Sequence, residues 1–203
     1  MNKLLYLKIK KLFNKTKSKY ISSKVLYEGK FIRIISEVYK LPNKKIIERE
    51  RIEKNNNKQS VIIISITEDN KFLLVVQNRI NRLTSMEFPS GYIEENETIK
   101  EAAKRELEEE TGYTTNEIIF IDSYYSQLGI DASVVNIVLA KNCIKTKNQN
   151  LGASEYINFY EFSFKELCTL ISKNYIKGCG NKLAFYELVN NYSDEYYYKK
   201  NAN

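Results

Sequence analysis

Two near-continuous apolar runs, Ser60–Ile66 and Lys71–Val76, flank the turn Glu68-Asp69-Asn70-Lys71. Runs without polar alternation predict strands buried on both faces, at the centre of a sheet covered by helices. Ahead of them, Val25–Tyr27, Phe31–Tyr39 and Ile46–Ile52 are rich in β-branched and aromatic residues, and Leu41-Pro42-Asn43-Lys44 supplies a turn between the last two. Ile118–Tyr125, Ser133–Ala140 and Tyr156–Phe162 predict later strands, with a polar loop over Lys141–Ser154. Helices are predicted at Thr98–Thr111, Ser163–Ser172 and Asn181–Asn190. The first two open as capping boxes, Thr98 with Glu101 and Ser163 with Glu166, and Gly112 lies just past the end of the first. The order gives a basic tail or helix over 1–24, a small antiparallel β subdomain over 25–53, a polar linker, a mixed α/β domain over 60–190, and a frayed end over 191–203.

Charge changes this picture in one place. The chain of 203 residues carries a net charge of +7, but no acid precedes Glu28 and eight lysines do. Residues 28–203 are therefore left at −1, so the basic character belongs to a tail and does not indicate nucleic acid. In the tail, Leu5, Ile9, Leu12 and Phe13 share a helical side. A solvated or partner-docked helix is the reading preferred over a membrane-surface one. Lysines interrupt the apolar run, which excludes a signal peptide, and no stretch reaches the ~18–20 apolar residues of a membrane span.

Histidine is absent. Catalysis by Ser-His-Asp or Cys-His and ligation of zinc by imidazole are thereby excluded. Cys143, Cys168 and Cys179 form no CxxC pair, which points to the reducing cytoplasm. Any enzyme chemistry falls to carboxylates, hard cations, water, or Lys, Arg and Tyr side chains.

Glu106, Glu108, Glu109 and Glu110 crowd the C-terminal turn of the predicted helix 98–111. The helix dipole disfavours anions there, and Glu106 with Glu109 and Glu110 forms like-charged i,i+3 and i,i+4 pairs. Oxygen-only ligands on one face suit Mg²⁺ or Mn²⁺ as compensator. The spacing is specific. Gly91, Glu97, Arg105, Glu106, Leu107, Glu109, Glu110 and Gly112 follow G-x5-E-x7-R-E-U-x-E-E-x-G-U, and the segment resembles the Nudix box. Tyr113 departs only in being aromatic where the last U is aliphatic. Chance agreement at the seven fixed positions is on the order of 10⁻⁸ per start.

The resemblance implies a Nudix fold, an α-β-α sandwich with a mixed sheet, preceded here by the small N-terminal sheet. It implies that Glu106 and Glu110 bind metal, that Glu109 binds metal or its water, that the Ser90 carbonyl completes a metal site, and that Glu97 pairs with Arg105. Gln77-Asn-Arg79 and Met86-Glu87-Phe-Pro-Ser90 are similar to the segments before the box in ADP-ribose pyrophosphatases and nucleotide-sugar hydrolases. On that likeness Arg79, Glu87, Arg49 and Arg51 are candidates for substrate binding. Arg79 could equally serve in a salt bridge to Glu87. The branch places its general base, a glutamate, on the loop before a late strand, and Glu155 is the one acid between Asp131 and Glu161. Phe31 and Tyr39 could stack on a base but read first as core. Tyr124–Asp131 stands where the branch has a Pro-Ser-Pro-Gly-like loop, and the proline often linked with ADP-ribose is missing.

The expected function is Mg²⁺- or Mn²⁺-dependent hydrolysis of a nucleoside diphosphate derivative. ADP-ribose, cleaved to AMP and ribose 5-phosphate, leads. Nucleotide sugars are the alternative substrates, and a non-catalytic nucleotide-sensing module is the alternative class. The branch also implies a homodimer.

Overall fold

The computed structural model describes residues 2–54, 59–79, 83–153 and 155–197, with side chains up to 192 in the last helix. Most of the predicted linker (55–58) and the last six residues of the predicted frayed end (198–203) lie outside the described residues. The chain divides into two compact units, Met1–Asn57 with Gln127–Ser133, and Lys58–Ser126 with Val134–Asn203.

In the first unit, helix α1 (Lys3–Thr16) is capped by the Asn2 side chain, which accepts from Leu4 N at 2.9 Å. Strands β1 (Lys19–Glu28), β2 (Ile32–Lys40) and β3 (Ile46–Lys54) form an antiparallel meander, with Val25 opposite Ile35 and Ile34 opposite Ile52. The segment 127–133 joins this unit through Ile52 N, which donates to Ile130 O at 2.7 Å. β1 begins six residues before the pattern predicted. Its first half, Lys-Tyr-Ile-Ser-Ser-Lys, has no buried face to produce alternation, and all ten residues of the strand are exposed. Phe31, expected in the core, is 73% exposed.

The second unit explains the two apolar runs. They become β4 (Ser60–Thr67) and β5 (Phe72–Asn78), joined by a turn in which Asn70 takes φ 57°. Val61 and Ile63 pack with Leu73, Val138 and Ala140 beneath Ala102, Ala103 and Leu107 of helix α2 (Ile99–Thr111). Ile62, Ile64 and Ile66 point the other way, with Ile137 and Leu139, onto helices α3 (Phe164–Ser172) and α4 (Cys179–Tyr197) through Leu167, Ala184 and Leu188. Alternate residues of one strand thus feed two cores, which requires the continuous apolar sequence.

β4 runs parallel to β10 (Asp131–Lys145), Val61 facing Asn136, and antiparallel to the short β7 (Ser90–Tyr92), Val61 facing Gly91. β5 lies between β6 (Thr84–Glu87) and β11 (Ile157–Phe162), antiparallel to both. β8 (Tyr113–Thr114) and β9 (Glu117–Gln127) pair with β10. The sheet is mixed, with helices on both faces. Three short strands, β6, β7 and β8, were not signalled by the pattern, and α4 continues seven residues beyond Asn190. No helix among the described residues is long and apolar enough to cross a membrane.

Candidate active site

Helix α2 brings the clustered acids to one place because both its ends are fixed. Thr98 Oγ1 accepts from Glu101 N, and the Glu101 carboxylate accepts from Thr98 N at 2.8 Å, completing the capping box. At the other end Gly112 takes φ 76°, a left-handed conformation, and donates to Glu108 O at 2.9 Å. A side chain there would also collide with the Lys147 carbonyl.

The last carbonyls of α2 have partners outside the helix. Asn150 N donates to Glu109 O at 2.9 Å, Gln149 Nε2 to Glu110 O at 2.5 Å, and Thr146 N to Gly112 O at 3.0 Å. Gln149 Nε2 also reaches Ile157 O at 3.1 Å and so ties the helix end to β11. These donors offset the negative pole on which the acids sit.

Glu110 is 5% exposed. Burial pushes its carboxyl up to about 8, reinforced by the charges of Glu106 and Glu155 and opposed by Ser90 N, which donates to Oε2 at 2.9 Å, and by Arg79. Glu106 is also raised, first by burial and then by Glu109 and Glu155, against the pull of Arg105. Three carboxylates therefore share one field, that of Glu155 reaching both of the others. Glu155 sits in a tight loop, where its carboxylate accepts from Gly152 N at 2.9 Å.

Arg105 is the hub of the loop and helix. Its Nε and Nη2 donate to the two oxygens of Glu97 at 2.9 Å each, and Nη2 also reaches Tyr92 O at 2.8 Å. Nη1 donates to Glu106 at 2.7 Å and to Glu109 at 3.2 Å. The guanidinium holds Glu97 below the usual carboxylate range and is itself raised by that partner.

Arg79 grips the buried Glu87 through Nε at 3.0 and 3.2 Å and through a short Nη2 contact. Among the described residues its side chain keeps 49% exposure, so a ligand can reach the guanidinium. In the first unit, Arg51 donates to Glu37 at 2.8 Å and to Glu53 at 3.0 Å, while Arg49 lies exposed on β3. Tyr39 donates to Glu37 at 2.7 Å and meets the Tyr20 ring edge-on. Ser90 contributes a backbone N–H to Glu110, a contact the sequence pattern did not signal. The only hint was the position of Ser90 just before Gly91.

The donor set fits a hard divalent cation. It is all oxygen, and Glu110 and Glu106 are both raised, first by burial and further by neighbouring carboxylates, so a cation would offset the cost of holding them ionised. Among the described residues no three acidic or sulfur side chains are grouped so as to hold an ion, and Arg105 engages Glu106 and Glu109. An ion would compete with that guanidinium for Glu106.

Comparison with known proteins adds an independent line. A NUDIX domain profile matches residues 56–177. An ADP-ribose pyrophosphatase of Bacillus subtilis (strain 168) is 30% identical over 156 residues, covering 75% of this chain and 82% of that protein. A methanol dehydrogenase activator of Bacillus methanolicus is 29% identical over 160 residues, covering 78% and 85%. A crystal structure of an ADP compounds hydrolase superposes with a TM-score of 0.79 at 19% identity, covering 88% of this chain and 96% of that one, a likeness of fold.

Proposed function

Because the chain belongs to the NUDIX family, whose hydrolases use divalent metal ions, we propose that it hydrolyses the pyrophosphate bond of ADP-ribose to AMP and ribose 5-phosphate, with Mg²⁺ as the physiological ion. The observation that carries the reading is the shared field of Glu106, Glu110 and Glu155 beside the half-exposed guanidinium of Arg79. The choice of ADP-ribose is supported by the name of the Bacillus subtilis relative.

Glu106 and Glu110 would hold the ion, with Glu109 and the Ser90 carbonyl as further oxygen ligands. Bound there, a divalent ion would supply charge neutralisation for the pyrophosphate and would make water a better nucleophile near neutral pH. Glu110 must be ionised to bind it, so occupancy rises as the carboxyl gives up its proton. Glu155 lies within electrostatic reach of both ligands and accepts the proton of the attacking water at its carboxylate. Arg79, anchored on Glu87, offers its guanidinium to a phosphate oxygen of the substrate and steadies the charge that develops on the leaving phosphate. Arg105 acts at one remove. It fixes the Tyr92–Glu97 loop to α2 and sets where Glu106 can point. Arg49 and Arg51 are retained as candidates for contact with the nucleoside part of the substrate. We also place the protein in the cytoplasm as a homodimer.

The test is a panel of ADP-ribose, ADP-glucose, GDP-mannose, NADH and dinucleoside polyphosphates, assayed with Mg²⁺ and separately with Mn²⁺. ADP-ribose should give the highest kcat/KM. A nucleotide sugar in first place would reassign the substrate, and no turnover of any member would leave the non-catalytic module standing.

A further inference from the structure

We propose that α1 is an interfacial anchor that lays its apolar side on an anionic lipid surface. Among the described residues, helix α1 has no buried side chain. Leu5 is 49% exposed, Leu12 53% and Phe13 72%, and Ile9 alone is partly covered.

At about 100° per residue, Leu12, Leu5, Thr16, Ile9, Phe13 and Tyr6 fall within an arc of about 120°. All five lysines of the helix, Lys3, Lys8, Lys10, Lys11 and Lys15, fall outside that arc, with Leu4 and Leu7 among them. A helix of 14 residues is marginal in water by itself, and helices of this length ordinarily draw their stability from the burial of an apolar face. Among the described residues of its own unit none supplies that burial, so a solvated helix leaves the apolar arc unexplained.

Charge identifies the occupant. The helix has five cations and no anion, and no acid occurs before Glu28. An anionic bilayer surface neutralises the lysines while its acyl boundary takes up the apolar arc. Lys17, Lys19 and Lys24 continue the positive charge into β1, whose ten residues are all exposed. The geometry therefore favours the membrane-surface reading over the solvated or docked helix preferred from the pattern.

The test is flotation of the full chain with vesicles of phosphatidylcholine alone, and with about 30% phosphatidylglycerol added to supply a negative surface. The chain should bind the anionic vesicles at least about tenfold more tightly, and about 1 M salt should abolish the difference. Ile9→Glu with Phe13→Glu should abolish binding while thermal unfolding stays unchanged, because neither side chain is buried. Lys8→Gln with Lys11→Gln and Lys15→Gln should weaken binding to anionic vesicles only. Equal binding to both vesicle types, no binding, or retention of binding by the Glu variant would overturn the proposal. So would an oligomer in solution that the same Glu variant breaks, which would make a second copy the occupant.

Discussion

The carboxylate of Glu106 occupies the space that a side chain on residue 91 would fill. A Cβ built on Gly91 would overlap Glu106 Cδ and both of its oxygens. The glycine is needed here for close approach and not for a positive φ, since it is an ordinary strand residue opposite Val61. Gly91→Ala should therefore leave the fold assembled but swing Glu106 away. The expected result is a fall in kcat of about 10²-fold, comparable to losing a charge-stabilising group, with a folded circular dichroism spectrum. An active Gly91→Ala enzyme would show that Glu106 need not lie there.

Glu110 predicts a dependence of stability on pH. Its carboxyl is raised from 4.5 to about 8 in the folded chain. A raised pKa means that the folded state holds the proton more tightly than the unfolded one. The contribution is thus complete below the unfolded value and is lost as pH rises through the folded value. Without metal, the Tm of wild type relative to Glu110→Gln should fall between about pH 5 and pH 8. Adding Mg²⁺ at pH 8 should restore the wild type and leave the variant unmoved. A difference in Tm that stays flat across this range would contradict the burial of an ionisable Glu110. In turnover assays the same variant should lose at least about 10²-fold in kcat.

For Glu155 the expectation is a split between rate and binding. Glu155→Gln keeps the shape and the bond from Gly152 N but cannot accept a proton. A fall in kcat of about 10²-fold or more is expected, with Mg²⁺ affinity, read by calorimetry, within about threefold of wild type. A wild-type rate would remove Glu155 as the base. The variant should also lower the titration of Glu110, whose carboxyl Glu155 helps to raise.

Arg79→Lys separates two roles of one guanidinium. A lysine can pair with Glu87 but cannot offer a second fork edge. If substrate contact is the main role, KM for ADP-ribose should rise roughly tenfold with little change in Tm. A lower Tm at constant KM would confine Arg79 to steadying Glu87.

The parts of the molecule that could be read from the chain are those where one element carries its own signature. Helix α2 was legible because its capping box, its acids and Gly112 all lie within fifteen residues. Strands β4 and β5 were legible because burial on both faces leaves long apolar runs, broken in the middle of β4 only by the small Ser65. The first half of β1 was not, since no buried side marks it. Nor were β6 and β7, four and three residues long around Pro89 and too short to show a period; β6 pairs with β5 just before it and β7 with β4. In the site, the pairing of Arg105 with Glu97 followed from the resemblance to the Nudix box, whereas Ser90 N to Glu110 depends on how β7 meets α2, a long-range relation with no local trace. The mutual field of Glu155, Glu106 and Glu110 is of the same kind, because β8, β9, β10 and a loop separate Glu155 from Glu110 along the chain.

Residues 146–150 look like the sort of polar connector where an inserted tag or a circular permutation does no harm. Their backbone and side-chain donors nevertheless serve the final carbonyls of α2. Opening the chain there would not simply free a loop. It would return an uncovered negative helix end to four neighbouring glutamates, so the defect would surface as weakened ion affinity before any loss of fold. The length of this connector is therefore an electrostatic constraint, and an engineer choosing a fusion point would do better to avoid it.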